Sequence, residues 1–183
     1  MNNIESGVLL VSDPFLKDPN FVRSVILICE NNDEGSFGFV LNKQYEKNLN
    51  QLMDNIDNLH FPVFQGGPVQ LDTLHFLHTK PHLIEGGVKV VDDIYWGGNF
   101  GQVLELIKTK EITPRDIRFY IGYSGWDEGQ LDAEVEEKSW LLHKAEKQFV
   151  FHHNADMVWK DVVKDMGGEY KQLVNYPIDP QLN

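Results

Sequence analysis

The sequence predicts an α+β fold with a mostly antiparallel or mixed sheet and helices packed around it. Three observations predict it. Short apolar runs of strand length crowd the first half, a few segments carry a helical apolar stripe, and the two kinds alternate irregularly rather than as strict βαβα. In chain order, Gly7–Val11 and Arg23–Glu30 are runs rich in Val, Ile and Leu, of strand rather than helix length. The polar stretch Asn31–Gly35 separates the second run from Phe37–Leu41. A five-residue loop between β-prone runs predicts an antiparallel hairpin inside the sheet. Leu49, Leu52, Met53 and Ile56 fall at i, i+3, i+4 and i+7, one apolar stripe of a helix. Val63–Gln65, Leu74–His78 and Val88–Val91 are further strand candidates. Phe100, Val103, Leu104 and Ile107 repeat the helical spacing behind Asn99, a good N-cap. Ile117–Tyr123 reads as a strand, and a shorter helix is expected from about Gly129 to Glu137, with Leu131 and Val135 inward. Trp140–His143 and Phe149–His152 complete the strand candidates. A last helix passes through Trp159, Val162, Val163 and Met166, with Asn154 to cap it and Gly167-Gly168 to stop it.

Composition bounds the function. The 183 residues read as one domain, 1–183, without an interdomain linker or internal repeat. Apolar residues make up 42%, enough for a core, which excludes a disordered chain. The net charge of −12 repels phosphate. The best basic grouping, Lys108, Lys110, Arg115 and Arg118, is interleaved with Glu105, Glu111 and Asp116, so duplex DNA binding is not expected. A single cysteine, Cys29, excludes an internal disulfide and a thiolate metal cluster and fits a reducing cytoplasm. No basic-then-apolar leader precedes Gly7, and the run Val25–Cys29 falls far short of the ~20 residues of a membrane span. A cytoplasmic protein is expected.

Candidate chemistry is sparse. His75 and His78 lie on opposite faces of a strand, and Pro81 breaks the run before His82, so one packed and two solvent-facing histidines are expected and no metal site. Cys29 sits among apolar residues, and Glu30 beside it disfavours the thiolate. Gly122-Tyr123-Ser124-Gly125-Trp126 matches a nucleophile elbow except at its last place, where glycine is required. Gly97-Gly98-Asn99-Phe100-Gly101 lacks both the dinucleotide and the P-loop spacing. The most unusual stretch, Gly122–Glu137, places Tyr123, Trp126, Gln130 and Glu134 at an expected strand-to-helix turn. Gln130 and Glu134 share a helix face there. Such a group either holds a ligand or pins the helix through an internal polar network, and the second reading is the commoner use of buried polar groups.

Gly122–Glu134 closely resembles the G-x-x-G-W-x-x-G-Q-L-x-x-E segment of the AlgH/YqgE family of bacterial proteins. Gly7–Val11 through Pro14, the Asp18–Val25 stretch, Cys29-Glu30, Gly38–Asn42, Gly66–Val69, Leu77-His78 and the closing Pro180–Asn183 agree in order, so the resemblance spans nearly the whole chain. Two departures stand out: Asn31 where the family often has His, and Gln44 where it often has Pro. The resemblance implies a bifurcated sheet curled into a pseudo-barrel and flanked by helices. It implies no established activity; the transcriptional-regulator label of the family traces to genetic effects on exopolysaccharide regulation. The expected function is a non-enzymatic regulatory or adaptor protein that binds a protein partner or small ligand, without a cofactor. The candidate surface comprises Arg23, Cys29, Glu30, Asn42 and His78, together with Tyr123, Trp126, Gln130 and Glu134. An enzyme built on Cys29, Glu30, His78 or Ser124 is the alternative, and a direct nucleic-acid binder a third reading. Arg23 beside Trp126 would favour an anionic ligand, whereas Arg23 paired to Glu134 would be structural. Trp126 is expected in the core and Arg23 in a site.

Overall fold

A computed structural model describes residues 4–54 and 60–177. Ile56 and the closing Pro180–Asn183 lie outside the described residues. The strands are β1 Val8–Ser12, β2 Val25–Asn32, β3 Gly35–Val40, β4 Val63–Gln65, β5 Val69–His78, β6 Val88–Val91, β7 Ile94–Trp96, β8 Ile117–Trp126 and β9 Trp140–Lys144. The helices are α1 Leu49–Leu52, α2 Phe100–Lys108, α3 Gln130–Glu136, α4 Lys147–Val150, α5 Val158–Met166 and α6 Tyr170–Leu173. One sheet runs β6-β7-β5-β8-β3-β2-β1-β9, with the predicted β2–β3 hairpin inside it.

The sheet divides at β8. One edge of β8 pairs antiparallel with β5, while the other is shared. Its Ser124–Trp126 end takes β3 antiparallel, and Phe119–Ile121 takes β4 in parallel. The sheet also curls, bringing the β6–β7 edge round to the start of β1. Ser6 Oγ donates to the Val90 carbonyl at 3.5 Å, and a Cβ at Gly7 (φ +83°) would stand 2.5 Å from that of Val91. This is the divided, curled sheet that the resemblance implied.

Period-2 alternation sorts the strand residues between two faces. Leu9, Val11, Leu27 and Phe39 join Trp159 and Val162 of α5 in one core. Leu10, Ile26, Ile28 and Val40 face Leu131 and Val135 of α3 in another. A third core packs Val103 and Ile107 of α2 on Val63, Phe119 and Ile121. The pairing of β2 with β3 slips between Ile28 and Glu30, so Cys29 is the extra residue of a bulge. Gly38 opposes Ile28 there, and a Cβ on it would stand 2.1 Å from the Leu27 carbonyl oxygen.

Four expectations are corrected. The five-residue loop of the hairpin contracts to Asp33-Glu34, because Asn32 pairs with Gly35 and its Oδ1 accepts from the Glu34 amide at 2.8 Å. Phe149–His152 is not a strand. Phe149 and Val150 are buried in the same core, whereas adjacent strand residues point to opposite faces, and a turn of α4 brings both to one side. The strand-to-helix turn expected at Tyr123–Trp126 lies later, at Asp127–Gly129, since β8 runs through Trp126. Arg23 does not open β2 but precedes it with φ 46°. The short strand β7 has no counterpart among the expected elements. Asn99 caps α2 as expected, its Oδ1 accepting from the Gln102 amide at 3.1 Å.

Candidate functional site

A cleft of about 530 Å³ opens where β3, β5, β7 and β8 bring four rings together: Phe37, His75, Trp96 and Tyr123. Each strand contributes one half-buried ring. Phe37 stands opposite Gly125, whose missing side chain leaves room above the strand. The Phe37 ring lies 4.7 Å from that of Trp96 at 62°, and 6.1 Å from that of Tyr123 at 81°. His75 meets Tyr123 edge-on at 5.9 Å, and its Nε2 lies 2.9 Å from Thr73 Oγ1. Burial pushes the His75 pKa below the usual imidazole value, so the ring is neutral at pH 7. Trp126 closes one wall, and the carboxylates of Glu30, Glu34 and Asp127 stand exposed around the mouth.

The residues singled out in the sequence fall into separate groups. Trp126, Gln130 and Glu134 do meet. Glu134 Oε2 accepts from the indole of Trp126 at 2.9 Å and from that of Trp140 at 2.9 Å, and its Oε1 accepts from Gln130 Nε2 at 2.9 Å. Gln130 Oε1 in turn accepts the Asp127 amide at 3.0 Å. This is an internal network pinning α3 to the sheet. Asn42 and Arg23 also meet, through backbone: Asn42 Nδ2 donates to the Arg23 carbonyl at 2.8 Å, and Asn42 Oδ1 accepts from the Val25 amide at 3.0 Å. The Arg23 guanidinium lies over the Trp159 ring at 4.8 Å and donates to the Tyr176 carbonyl, so it pairs with neither Glu134 nor Trp126. Only Tyr123, Trp126 and Glu30 of the nine line the aromatic cleft.

The remaining candidates have structural partners. His78 is fully buried; its Nδ1 accepts from the Lys80 amide at 3.2 Å, which leaves Nε2–H to donate to the Gly97 carbonyl at 3.0 Å. Ser124 Oγ donates to the Gly66 carbonyl at 3.0 Å. The Cys29 side chain belongs to the Leu27–Phe39–Tyr120 core, while Glu30 beside it is exposed. Burial first, and then the Glu30 charge, push the Cys29 thiol far above its ordinary value. Cys29, Glu30, His78 and Ser124 therefore do not assemble as a catalytic group. Among the described residues, no set of three or more His, Cys, Asp or Glu is placed to hold a metal. His82 is exposed, whereas His75 is half-buried in the cleft rather than solvent-facing.

Two expectations follow for Cys29. In the folded protein it resists iodoacetamide at pH 8 and is alkylated stoichiometrically once urea unfolds the chain; equal labelling in both states, read by mass spectrometry, contradicts its burial. The fold favours the protonated thiol, and the Tyr120 hydroxyl is pushed up by burial in the same way. Their stabilisation is therefore complete below the ordinary thiol value of 9.0 and declines as pH rises past it. Tm measured against pH falls above about 9, and Cys29→Ala flattens part of that fall.

Sequence reasoning missed Phe37, Trp96, Glu34 and Asp127. They are contributed by two separate hairpins and the end of β8, so no spacing in the chain betrays them.

Residues 9–171 match a family model described as AlgH-like. A UPF0301 protein of Chlorobaculum tepidum is 42% identical over 180 residues, covering 98% of this chain and 96% of its own. One from Cytophaga hutchinsonii is 41% identical over 181 residues, covering 98% and 100%. Two solved structures share the fold. The protein DIP2367 of Corynebacterium diphtheriae superposes with TM-score 0.82 at 21% identity, over 96% of this chain and 94% of that one. AlgH of Pseudomonas aeruginosa gives 0.74 at 24%, over 97% and 96%. Motifs, family model and fold agree, and the chain belongs to the AlgH-like family, the AlgH/YqgE proteins.

Proposed function

We propose that this is a non-enzymatic regulatory or adaptor protein of the bacterial cytoplasm that acts by holding a ligand in the cleft between β3, β5, β7 and β8. The observation that carries the reading is the aromatic wall: rings from four strands converge on a space of about 530 Å³, within the ~300–1,000 Å³ range of small-ligand sites. The separate structural engagement of Cys29, His78 and Ser124 supports binding over catalysis. Among the described residues, no helix is long and apolar enough to cross a membrane.

Affinity capture from native cytoplasm, with mass spectrometry of both proteins and small molecules, tests the reading. The intact protein retains a specific species and Trp96→Ala loses it, with an unchanged circular dichroism spectrum. Equal retention by both chains rejects the cleft.

Duplex DNA is not the partner in this reading. Arg118 is buried over the Phe64 ring at 5.0 Å, and Lys108 pairs with Glu105 at 3.0 Å, which leaves little of the basic grouping for phosphate. No gel shift is expected at micromolar protein and physiological salt; a salt-sensitive shift there overturns this part.

A further inference from the structure

Resting on the binding reading above, we propose that the cleft takes a small organic cation, an alkylated or quaternary ammonium group seated among Phe37, Trp96 and Tyr123. Aromatic faces attract cations through the ring quadrupole, and most strongly where water is excluded. Here Phe37 meets Trp96 at 62° and Tyr123 at 81°, edge contacts rather than face-to-face stacks, and all three rings line the cleft. Charge points the same way. No Lys or Arg lines the cleft, and the carboxylates of Glu30, Glu34 and Asp127 at its mouth form no ion pair with a described residue.

The acidic field extends past the β2–β3 turn. A neighbouring depression shares Glu30 and Asn32 with the cleft and adds Asp33, Glu128 and Asp132 against the single cation Lys89. Burial lowers the His75 pKa, so its imidazole favours the neutral form and does not oppose a bound cation. A phosphate or carboxylate would face these acids on a protein already at −12. An uncharged apolar ligand would use the rings and leave the acids without a role. A space of about 530 Å³ suits a free small molecule better than a protein surface, which typically buries ~800 Å² on each partner.

Choline chloride, its uncharged isostere 3,3-dimethylbutan-1-ol, sodium acetate and a short trimethyl-lysine peptide are titrated into the intact protein. Binding is read from the Trp96 indole and neighbouring backbone NMR signals. Choline is expected to shift the Trp96 signal saturably, with the isostere and acetate weaker by roughly tenfold or more. Glu34→Gln/Asp127→Asn, two exposed substitutions, weaken choline by a similar factor and leave Tm unchanged, and added salt does the same to the wild type. Equal binding of choline and its isostere overturns the cation and leaves the cleft as a binding site. Loss of every probe at Trp96 overturns the proposal, while the capture experiment separately decides the binding reading. Tighter binding of the peptide than of choline overturns the small-molecule source.

Discussion

Trp126→Ala is expected to lower unfolding free energy by about 3–5 kcal/mol, the range of a truncated core aromatic. The indole is 6% exposed and packs with Ile26, Val40 and Leu131 in the core beneath α3. Its ring stacks on Phe21 at 6.4 Å and meets Trp140 edge-on at 6.4 Å, so removal opens a space that three rings share. The loss also strands part of the Glu134 carboxylate, which otherwise accepts from both indoles. Urea denaturation measures it, and a cost under about 1 kcal/mol, ordinary for a surface site, contradicts the core assignment. Glu134→Gln separates polar from apolar contributions. A glutamine keeps the shape but offers one acceptor oxygen where the glutamate offers two. Either the two indoles or the Gln130 amide then loses its partner, at about 1–3 kcal/mol. Trp126→Phe retains most of the packing and keeps cleft binding.

How legible was this in the sequence? The stretches Val25–Ile28 and Phe39–Leu41 were readable as short continuous apolar runs, because both faces of the sheet are covered there and every one of these residues is buried. The α2 and α5 stripes were readable because one-sided burial imposes period 3.6. What was hidden depended on partners far along the chain. The three residues of β7 form a strand because β5 and β6 flank them, and nothing in Ile94-Tyr95-Trp96 alone requires that. Phe149-Val150 carried β-prone residues, yet the core beside α5 selected a helical turn. The Trp126–Gln130–Glu134 group was legible as a unit because it is local, with Gln130 and Glu134 on one helix face just beyond Trp126. Its second indole, Trp140, comes from a separate strand. The aromatic cleft was not legible, since Phe37, His75, Trp96 and Tyr123 are joined only by sheet order.

Trp159→Ala is expected to cost as much as the first substitution, about 3–5 kcal/mol, and to change the setting of Arg23 as well. The Trp159 ring is 2% exposed, its Nε1 donates to the Ser12 carbonyl at 3.0 Å, and the Arg23 guanidinium lies over its face at 4.8 Å. Arg23 also holds a left-handed φ of 46° and a buried Nε without a hydrogen-bond partner among the described residues. A side chain in that state is kept there by what surrounds it: the indole face on one side, the Tyr176 carbonyl on another. Two milder variants divide these contributions. Trp159→Phe keeps a ring face and removes the indole donor, at about 1 kcal/mol. Arg23→Gly removes the guanidinium while relieving the backbone, because glycine adopts φ > 0 without a Cβ penalty. If Arg23 is a packing and tethering residue, Arg23→Gly leaves ligand capture intact and loosens the Phe15–Tyr176 contact at 5.2 Å. That loosening is read from hydrogen exchange over 170–177. If capture is lost while exchange there is unchanged, Arg23 belongs to a binding surface of its own, separate from the aromatic cleft.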